Sequence, residues 1–545
     1  MKAGRSLVAV VLAAAALPAV AQTQQADSVE RIMADYVKPD APGCSVATSK
    51  DGRTLLSRGF GLANLEHRVP ITPATRFDIA SASKQFTAAA ILLLVQDGKI
   101  SLDDDIRKYV PELPEYGSKI TIDQLLTHTA GLRDYPFLTE LQGWWPEPRR
   151  QFSQEELVSL IVRQRHLNFV PGERWSYSNS GYILAADIVR RVSGQSLREF
   201  MQKRIFEPLG MRATVLRDDY SAFFAGQADN YFGPPSDLKK ATPAARHGDS
   251  NLVSTVDDLL IWNRALDSGV LGPLVTSELQ REARSSTGHS LRYARGLFIG
   301  DHRGVREVGH SGGSLGSSAY TVRYPDQRLS VAIACNSGQP VEQIARKIAE
   351  LYLTGMTSGA GPARPARPAT AVAIEPQRLV RLAGLFFDEA RGTHVRASIK
   401  DGKLHWGREV AEPLSGTRFT LASSAEFEFT TPDVVTTFGV TGTRRTFRRV
   451  EDRLPTINEV QALAGDYRSE ELGTVYRVAA KEREIVLSIV DGPPLEWPIP
   501  AASRDIFDAG RDTIRFLRNS AGRGEAFLIS NARNTNIRFD RVSNR

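Results

Sequence analysis

Cysteine is nearly absent from this 545-residue chain, which holds only Cys44 and Cys335. Two cysteines cannot make a disulfide scaffold. Both sit in apolar, strand-like segments, so two buried free thiols are expected, with a single bridge as the alternative in an oxidising compartment. Neither has the cationic surroundings of a reactive thiolate. Long apolar runs are missing after residue 21, so no transmembrane helix is expected beyond that point. Dense Lys/Arg runs are missing too. A net charge of +7 and a pI near 9.3 therefore read as a solvated basic surface, with no nucleic-acid partner. The nine histidines are scattered and no His-Glu-x-x-His occurs, so no metal or other cofactor is expected.

What is present points to an exported, multidomain, folded protein. The length exceeds one hydrophobic core, and 41% hydrophobic with 24% charged residues is ordinary for a globular chain. Residues 1–21 read as a signal peptide. Lys2 and Arg5 give a positive start, Leu7 to Leu17 a short apolar run, and Ala19-Val20-Ala21 the small residues before a mature start at Gln22. The expected location is periplasmic or secreted, without stable membrane insertion after cleavage. Residues 27–354 mix helical and strand patterns. Residues 355–372 are rich in Pro, Ala and Gly and read as a linker.

Residues 373–545 show short alternating segments and an internal repeat. Leu382-Ala383-Gly384-Leu385-Phe386 matches Leu463-Ala464-Gly465-Asp466-Tyr467, and Gly392-Thr393 matches Gly473-Thr474. Arg396 and Lys400 match Arg477 and Lys481 at the same offset. The units end alike in Phe447-Arg448-Arg449-Val450 and Phe539-Asp540-Arg541-Val542. Two small β-barrels are expected, over 373–452 and 453–545.

In the first region, Thr48 to Phe60 predicts a hairpin turning at Asp51-Gly52. Ser83 to Gln96 predicts a buried helix, Thr255 to Leu266 an amphipathic one, and Tyr320 to Asn336 two strands joined by Pro325-Asp326-Gln327. The pattern predicts a mixed α/β (α+β) domain with an antiparallel sheet flanked by helices.

Three motifs carry chemistry. In Ser81-Ala82-Ser83-Lys84 the residues three apart share a helix face, so an amine can meet a hydroxyl that needs a base to attack. Lys84 must be neutral part of the time to take that proton, a demand that burial or a neighbouring cation meets. A second match, Ser236 to Lys239, lies in a Pro- and Asp-rich context with no helix after it and is read as chance. Tyr177-Ser178-Asn179 offers a phenol that can relay protons and an amide that can orient a peptide. Gly309-His310-Ser311-Gly312-Gly313 offers a strand that a substrate can approach closely.

In this order the motifs resemble those of the penicillin-recognising serine hydrolases, which include class C β-lactamases, D,D-peptidases, D-aminopeptidases and related esterases. Phe77-Asp78-Ile79-Ala80 and Leu125-Leu126-Thr127-His128-Thr129-Ala130-Gly131-Leu132 strengthen the resemblance, which spans roughly residues 27–354. It implies Ser81 as acylated nucleophile, Lys84 as general base and Tyr177 as proton shuttle. It implies substrate contacts from Asn179, His310 and Gly312, and an oxyanion hole from the N–H groups of Ser81 and Gly313. Many members carry a carboxylate-binding lysine where this chain has His310, a departure that speaks against β-lactamase and D,D-carboxypeptidase activity. His-x-Gly is found in the D-aminopeptidases, which also carry two β-barrels, one of which sends a loop toward the active site.

The expected function is an acyl-enzyme hydrolase of small peptides or amides containing D-amino acids. A short-chain esterase is the runner-up, and the reading allows a homodimer. Two rivals remain from other classes. Gly309 to Gly313 also fits Gly-x-Ser-x-Gly, which would make Ser311 the nucleophile of an α/β-hydrolase elbow if a helix followed. A catalytically inactive cell-wall or peptide binding protein is the other.

Overall fold

The computed structural model describes residues 24–143, 151–219, 221–242, 247–357, 374–423, 425–438, 444–492 and 496–542. The expected signal peptide and the linker from residue 358 onward lie outside the described residues.

The described chain forms two compact units. One comprises Met1–Leu102, Tyr182–Ala283 and Arg292–Pro362; the other comprises Asp103–Gly181, Arg284–Leu291 and Ala363–Arg545.

A six-stranded antiparallel sheet organises the first unit. Its strands are β1 (Cys44–Lys50), β2 (Arg53–Phe60), β3 (Phe298–His302), β4 (Val305–Ser314), β5 (Ser317–Tyr324) and β6 (Leu329–Cys335). Their spatial order is β3-β4-β5-β6-β1-β2. The β1–β2 turn falls on Asp51 and Gly52, both at positive φ (51° and 76°). Two such residues in sequence are what a tight hairpin matching the strand twist requires.

The longer helices are α1 (Lys84–Gln96), α2 (Asn179–Ser193), α3 (Val256–Ser268) and α4 (Val341–Glu350), of which α3 and α4 pack on the sheet. The first is apolar on nearly every side, and its residues from Lys84 to Leu94 are all buried, as expected for a helix enclosed by other elements. On α3, the Thr255 side chain accepts from the Asp258 N–H (3.2 Å) and Gly269 closes the helix at φ 70°. Val341, Ile344, Ala345 and Ile348 of α4 pack in one core with Tyr320, Val331 and Ile333 of the sheet.

The cysteines correct the sequence expectation. Cys44 and Cys335 are opposite each other in the β1–β6 register and form a disulfide, so neither is a free thiol. Their pairing follows from two strands 291 residues apart in sequence becoming neighbours, which no local pattern announces. Replacing both cysteines by alanine is expected to cost about 2–5 kcal/mol, read as a lower denaturant midpoint. A variant as stable as the parent would show that the bond contributes nothing.

The second unit contains two nearly closed antiparallel barrels. The first is nine-stranded and the second eight-stranded. Phe386, Trp406, Phe427, Phe429 and Phe447 fill the first; Tyr467, Tyr476, Phe516, Phe527 and Phe539 fill the second. The repeat seen in sequence has a packing cause. Arg449 donates to the Ala383 carbonyl (2.5 Å) and stacks on Phe386, while Arg541 donates to the Ala464 carbonyl (2.8 Å) and stacks on Tyr467. A Cβ at Gly384 or Gly465 would collide with these guanidiniums, so the Leu-Ala-Gly triplet opens each barrel for its closing arginine.

Candidate active site

Ser81 sits in a 3-10 turn, Ala80–Ser83, that runs directly into α1. Ala80 adopts φ 46°, a conformation L-residues rarely hold without external support. The Ala80 N–H donates to Asp78 Oδ1 (2.8 Å), and the Leu252 N–H donates to Ser83 Oγ (3.1 Å). Thr87 Oγ1 donates to the Gly248 carbonyl (2.7 Å). The loop before strand Leu252–Ser254 is thus pinned along the start of α1.

Lys84 is wholly buried. Its Nζ donates to Ser81 Oγ (3.2 Å) and to the Asp249 carbonyl (2.7 Å), and lies 5.5 Å from the centre of the Tyr182 ring. A buried amine must spend its donors on polar neighbours, and here one is the serine hydroxyl. The adjacent helix start supplies backbone N–H groups suited to a developing oxyanion. The second Ser-x-x-Lys has no such setting, since Lys239 is exposed on a two-residue strand.

The glycine strand runs against this turn. A Cβ at Gly312 would collide with the Ile79 carbonyl, so only glycine admits β4 there. Side chains two apart share a strand face, which puts His310 on the Gly312 side. His310 is 2% exposed. Its Nδ1–H donates to the Ser311 carbonyl (2.5 Å), and its ring packs on Phe298 and Tyr293, with centroids at 5.0 and 5.9 Å. Burial, and then the charge of Lys84, pull its pKa down to about 3. The imidazole is neutral and holds no anion.

Between about 3 and 6.5 the unfolded chain binds a proton here that the folded chain refuses. Stability therefore rises with pH across that window. His310→Phe is expected to flatten this part of the stability–pH curve, measured as urea midpoints at about pH 4 and about pH 7. An unchanged slope would contradict the neutral assignment.

Pairing of β3 with β4 ends at Phe298 opposite Gly309. Residues 310–314 are paired with β5 alone among the described strands, and Gly313 is exposed. That leaves an edge to which an extended peptide can add. Ser311 faces away, donating to Glu342 Oε1 (2.7 Å). It lies inside β4 with another strand next in the chain, which excludes the nucleophile-elbow reading.

Tyr177 and Asn179 belong to the second unit. Tyr177 is half-buried, with the His128 ring 4.3 Å away. His128 Nδ1 accepts from the Ser178 N–H (3.1 Å), so this histidine orients the motif. Asn179 opens α2, the helix that also carries Tyr182. Its N–H donates to Asp134 Oδ1 (2.7 Å) and its Nδ2 to Oδ2 (3.3 Å). Sequence reasoning missed Asp134, although it stands two residues beyond the Thr-His-Thr-Ala-Gly-Leu stretch. It also missed the Asp249 carbonyl, which carries no side-chain signal. Arg533 escaped it too: from the second barrel it donates to Asp134 Oδ2 (3.2 Å) and lies over the Tyr177 ring (5.0 Å).

Residues 29–354 match the Beta-lactamase family profile. This chain belongs to the beta-lactamase family. Family members similar to it include the D-aminopeptidase of Brucella anthropi, 32% identical over 327 residues, which are 58% of this chain and 60% of that protein. The D-aminopeptidase of Gluconobacter oxydans is 28% identical over 468 residues, covering 83% of this chain and 82% of that one. Among solved structures, the octameric penicillin-binding protein homologue from Pyrococcus abyssi superposes with a TM-score of 0.56 at 25% identity. That match covers 78% of this chain and 99% of the homologue. The chain thus spans about three-fifths of the first of these relatives and most of the other two. A beta-lactamase-family region followed in the chain by two barrels is the architecture shown here.

Proposed function

We propose that the chain is an exported acyl-enzyme hydrolase of small peptides or amides containing D-amino acids. The observation that carries this reading is the buried Lys84 Nζ at 3.2 Å from Ser81 Oγ. Ser81 Oγ attacks the scissile carbonyl carbon and gives its proton to Lys84. The negative oxygen is held by the N–H groups of Ser81 and Gly313. Tyr177 passes the proton to the departing nitrogen as the C–N bond breaks, and Asn179 orients the substrate amide. Water then attacks the ester on Ser81, returning the proton to the hydroxyl and releasing the acid.

The two D-aminopeptidase relatives support an amide substrate, and the neutral His310 fits one whose reacting end is not held by a lysine. The disulfide and the signal-like N-terminus support an oxidising compartment outside the cytoplasm. The edge of β4 suits an extended backbone more than a compact ester, which places short acyl esters second.

Assaying D-alanyl-p-nitroanilide, p-nitrophenyl acetate and nitrocefin side by side tests the reading. The anilide is expected to have the highest kcat/KM and nitrocefin the lowest. Preference for the acetate would move the protein to the esterases, and fast nitrocefin turnover would overturn the inference from His310.

A further inference from the structure

The face of β4 that carries Ser311 looks onto α4. Glu307 and Ser311 are four apart on one strand face. Glu307 Oε1 accepts from Arg346 Nη2 (2.7 Å) and Ser311 Oγ donates to Glu342 (2.7 Å), so the partners are four apart on one helix face. Residue numbers rise along the strand as they fall along the helix. α4 therefore runs antiparallel to β4, with its first turn over Ser311. Between them lies a groove of about 740 Å³ lined by Ser311, Gly313 and Glu342 among others. The opposite face of β4 carries His310 and Gly312 and meets the Ser81 turn, since a Cβ at Gly312 would also stand 3.0 Å from the Ala82 nitrogen. A peptide laid along the edge of β4 thus has the Ser81 turn on one face and the groove on the other.

The charges lining the groove are unequally committed. Arg346 donates to Glu307 through both Nε and Nη2, and Glu307 also accepts from the hydroxyls of Tyr320 and Tyr324, each at 2.9 Å. Glu350 is paired with His302 (3.0 Å) and Arg303 (3.3 Å). Lys347 donates to the Tyr36 hydroxyl (2.7 Å) and lies over that ring, about 7 Å further along the helix axis than Glu342. Glu342 differs from these. Its carboxylate accepts from the neutral Ser311 hydroxyl, stands 3.7 Å from Arg346 Nη1, and is on a side chain 48% exposed. A Cβ built on Gly313 would meet nothing within 4 Å, so the groove is open at the strand edge. A carboxylate half in water and steadied by a hydroxyl is suited to take a cation.

We propose that Glu342 is a specificity residue that selects peptides whose leaving D-residue carries a basic side chain. The inference rests on the function proposed above, in which the Gly313 N–H holds the scissile carbonyl oxygen. A substrate that continues the antiparallel pairing of β3 sets its acyl residue opposite Gly313 and its leaving residue opposite Gly312. Opposed L-residues share a face, so an L-residue there points with Gly312 toward the Ser81 turn. A D-residue has two Cα substituents exchanged and points toward α4. Reach decides which cation can arrive. The substrate α-ammonium stays within about 3.6 Å of the scissile carbonyl oxygen, whereas Ser311 lies about 7 Å back along the strand from Gly313. A long basic side chain, such as that of lysine or ornithine, spans the interval.

The test compares D-alanyl-D-lysine with D-alanyl-D-norleucine, which share a four-carbon stem and differ in the terminal ammonium, and with D-alanyl-D-glutamate. In the parent, kcat/KM for the lysine peptide is expected to exceed that for the norleucine peptide about fivefold or more, through KM. Glu342→Gln keeps the shape and should bring that ratio to within about twofold of unity. Glu342→Lys should reverse the preference in favour of the glutamate peptide. The KM of the lysine peptide should rise with ionic strength while that of the norleucine peptide does not. D-alanyl-L-lysine should show no such advantage over D-alanyl-L-norleucine, and an equal one would overturn the proposal. Equal losses on the lysine and norleucine peptides in Glu342→Gln would mean that the carboxylate only positions Ser311, and would overturn it too. So would a parent that favours the glutamate peptide, which would give the groove to Arg346 and Lys347. Calorimetric binding of the lysine and norleucine peptides to Ser81→Ala gives a readout that needs no turnover. If the parent cleaves none of the peptides, the proposed function fails by itself, and Glu342 is judged by that affinity ratio. Equal affinities, or no binding of either peptide, would overturn the proposal.

Discussion

Replacing Ser81 by alanine is expected to lower kcat by about four orders of magnitude or more and to abolish labelling by a fluorophosphonate probe. The buried amine of Lys84 donates to the Ser81 hydroxyl and to the Asp249 carbonyl, and of these two groups the hydroxyl is the one a base can activate. A carbonyl cannot be the nucleophile. Lys84→Met keeps the volume of the stem and removes the base, so it should match the serine variant. The double variant should be no worse than either single one, because nucleophile and base act as one unit. Additive losses would show that the two residues work separately. Labelling that persisted in Ser81→Ala would place the reactive group elsewhere and remove the basis for the acyl-enzyme account.

Replacing Glu471 by alanine is expected to destabilise the second unit by about 3–5 kcal/mol. Glu471 pairs with Arg133 (Nη1 to Oε2, 2.6 Å), and their side chains are 10% and 0% exposed. Arg133 also donates to Gln164 Oε1 and to the carbonyls of Thr535 and Asn536, each at 3.1 Å. Glu471 Oε1 accepts from the Arg165 N–H (2.6 Å). Removing the acid leaves a buried guanidinium without its counter-charge, which costs more than the pair itself contributes. Urea unfolding followed through the barrel would report the loss. Arg133 stands beside Asp134 in the chain and grips the loop that carries Arg533. Activity should therefore fall in Glu471→Ala at denaturant concentrations where the protein is still folded. A change below about 1 kcal/mol would put this pair with ordinary surface ion pairs.

Much of the catalytic region was legible because its signals are local. An uninterrupted apolar stretch made α1 a buried helix. Asp51-Gly52 made a hairpin turn, and Pro325-Asp326-Gln327 separated two strands that the structure places at Ser317–Tyr324 and Leu329–Cys335. The spacing of Ser81 and Lys84 by itself puts their side chains on one helix face. The barrel repeat was legible for a different reason: the same glycine and the same arginine are needed twice to close the same packing problem.

The remainder depends on residues far apart in the chain. The cysteine pair was read as two thiols because the sequence does not say that β1 lies beside β6. Asp134 was passed over because a lone aspartate after a loop motif has no period or spacing that marks it, and Arg533 because nothing in a barrel repeat points a hairpin at Tyr177. His310 shows the division within one side chain. Its identity was enough to argue for weak carboxylate binding, but its pKa of about 3 comes from a shell of Phe298, Tyr293 and the Lys84 charge. Residue order settles which groups can react, since hydroxyl, amine and phenol chemistry belongs to the side chain itself. Burial, charge proximity and cross-chain pairing settle how they act, because solvation and Coulomb energies depend on distances through space and not along the chain.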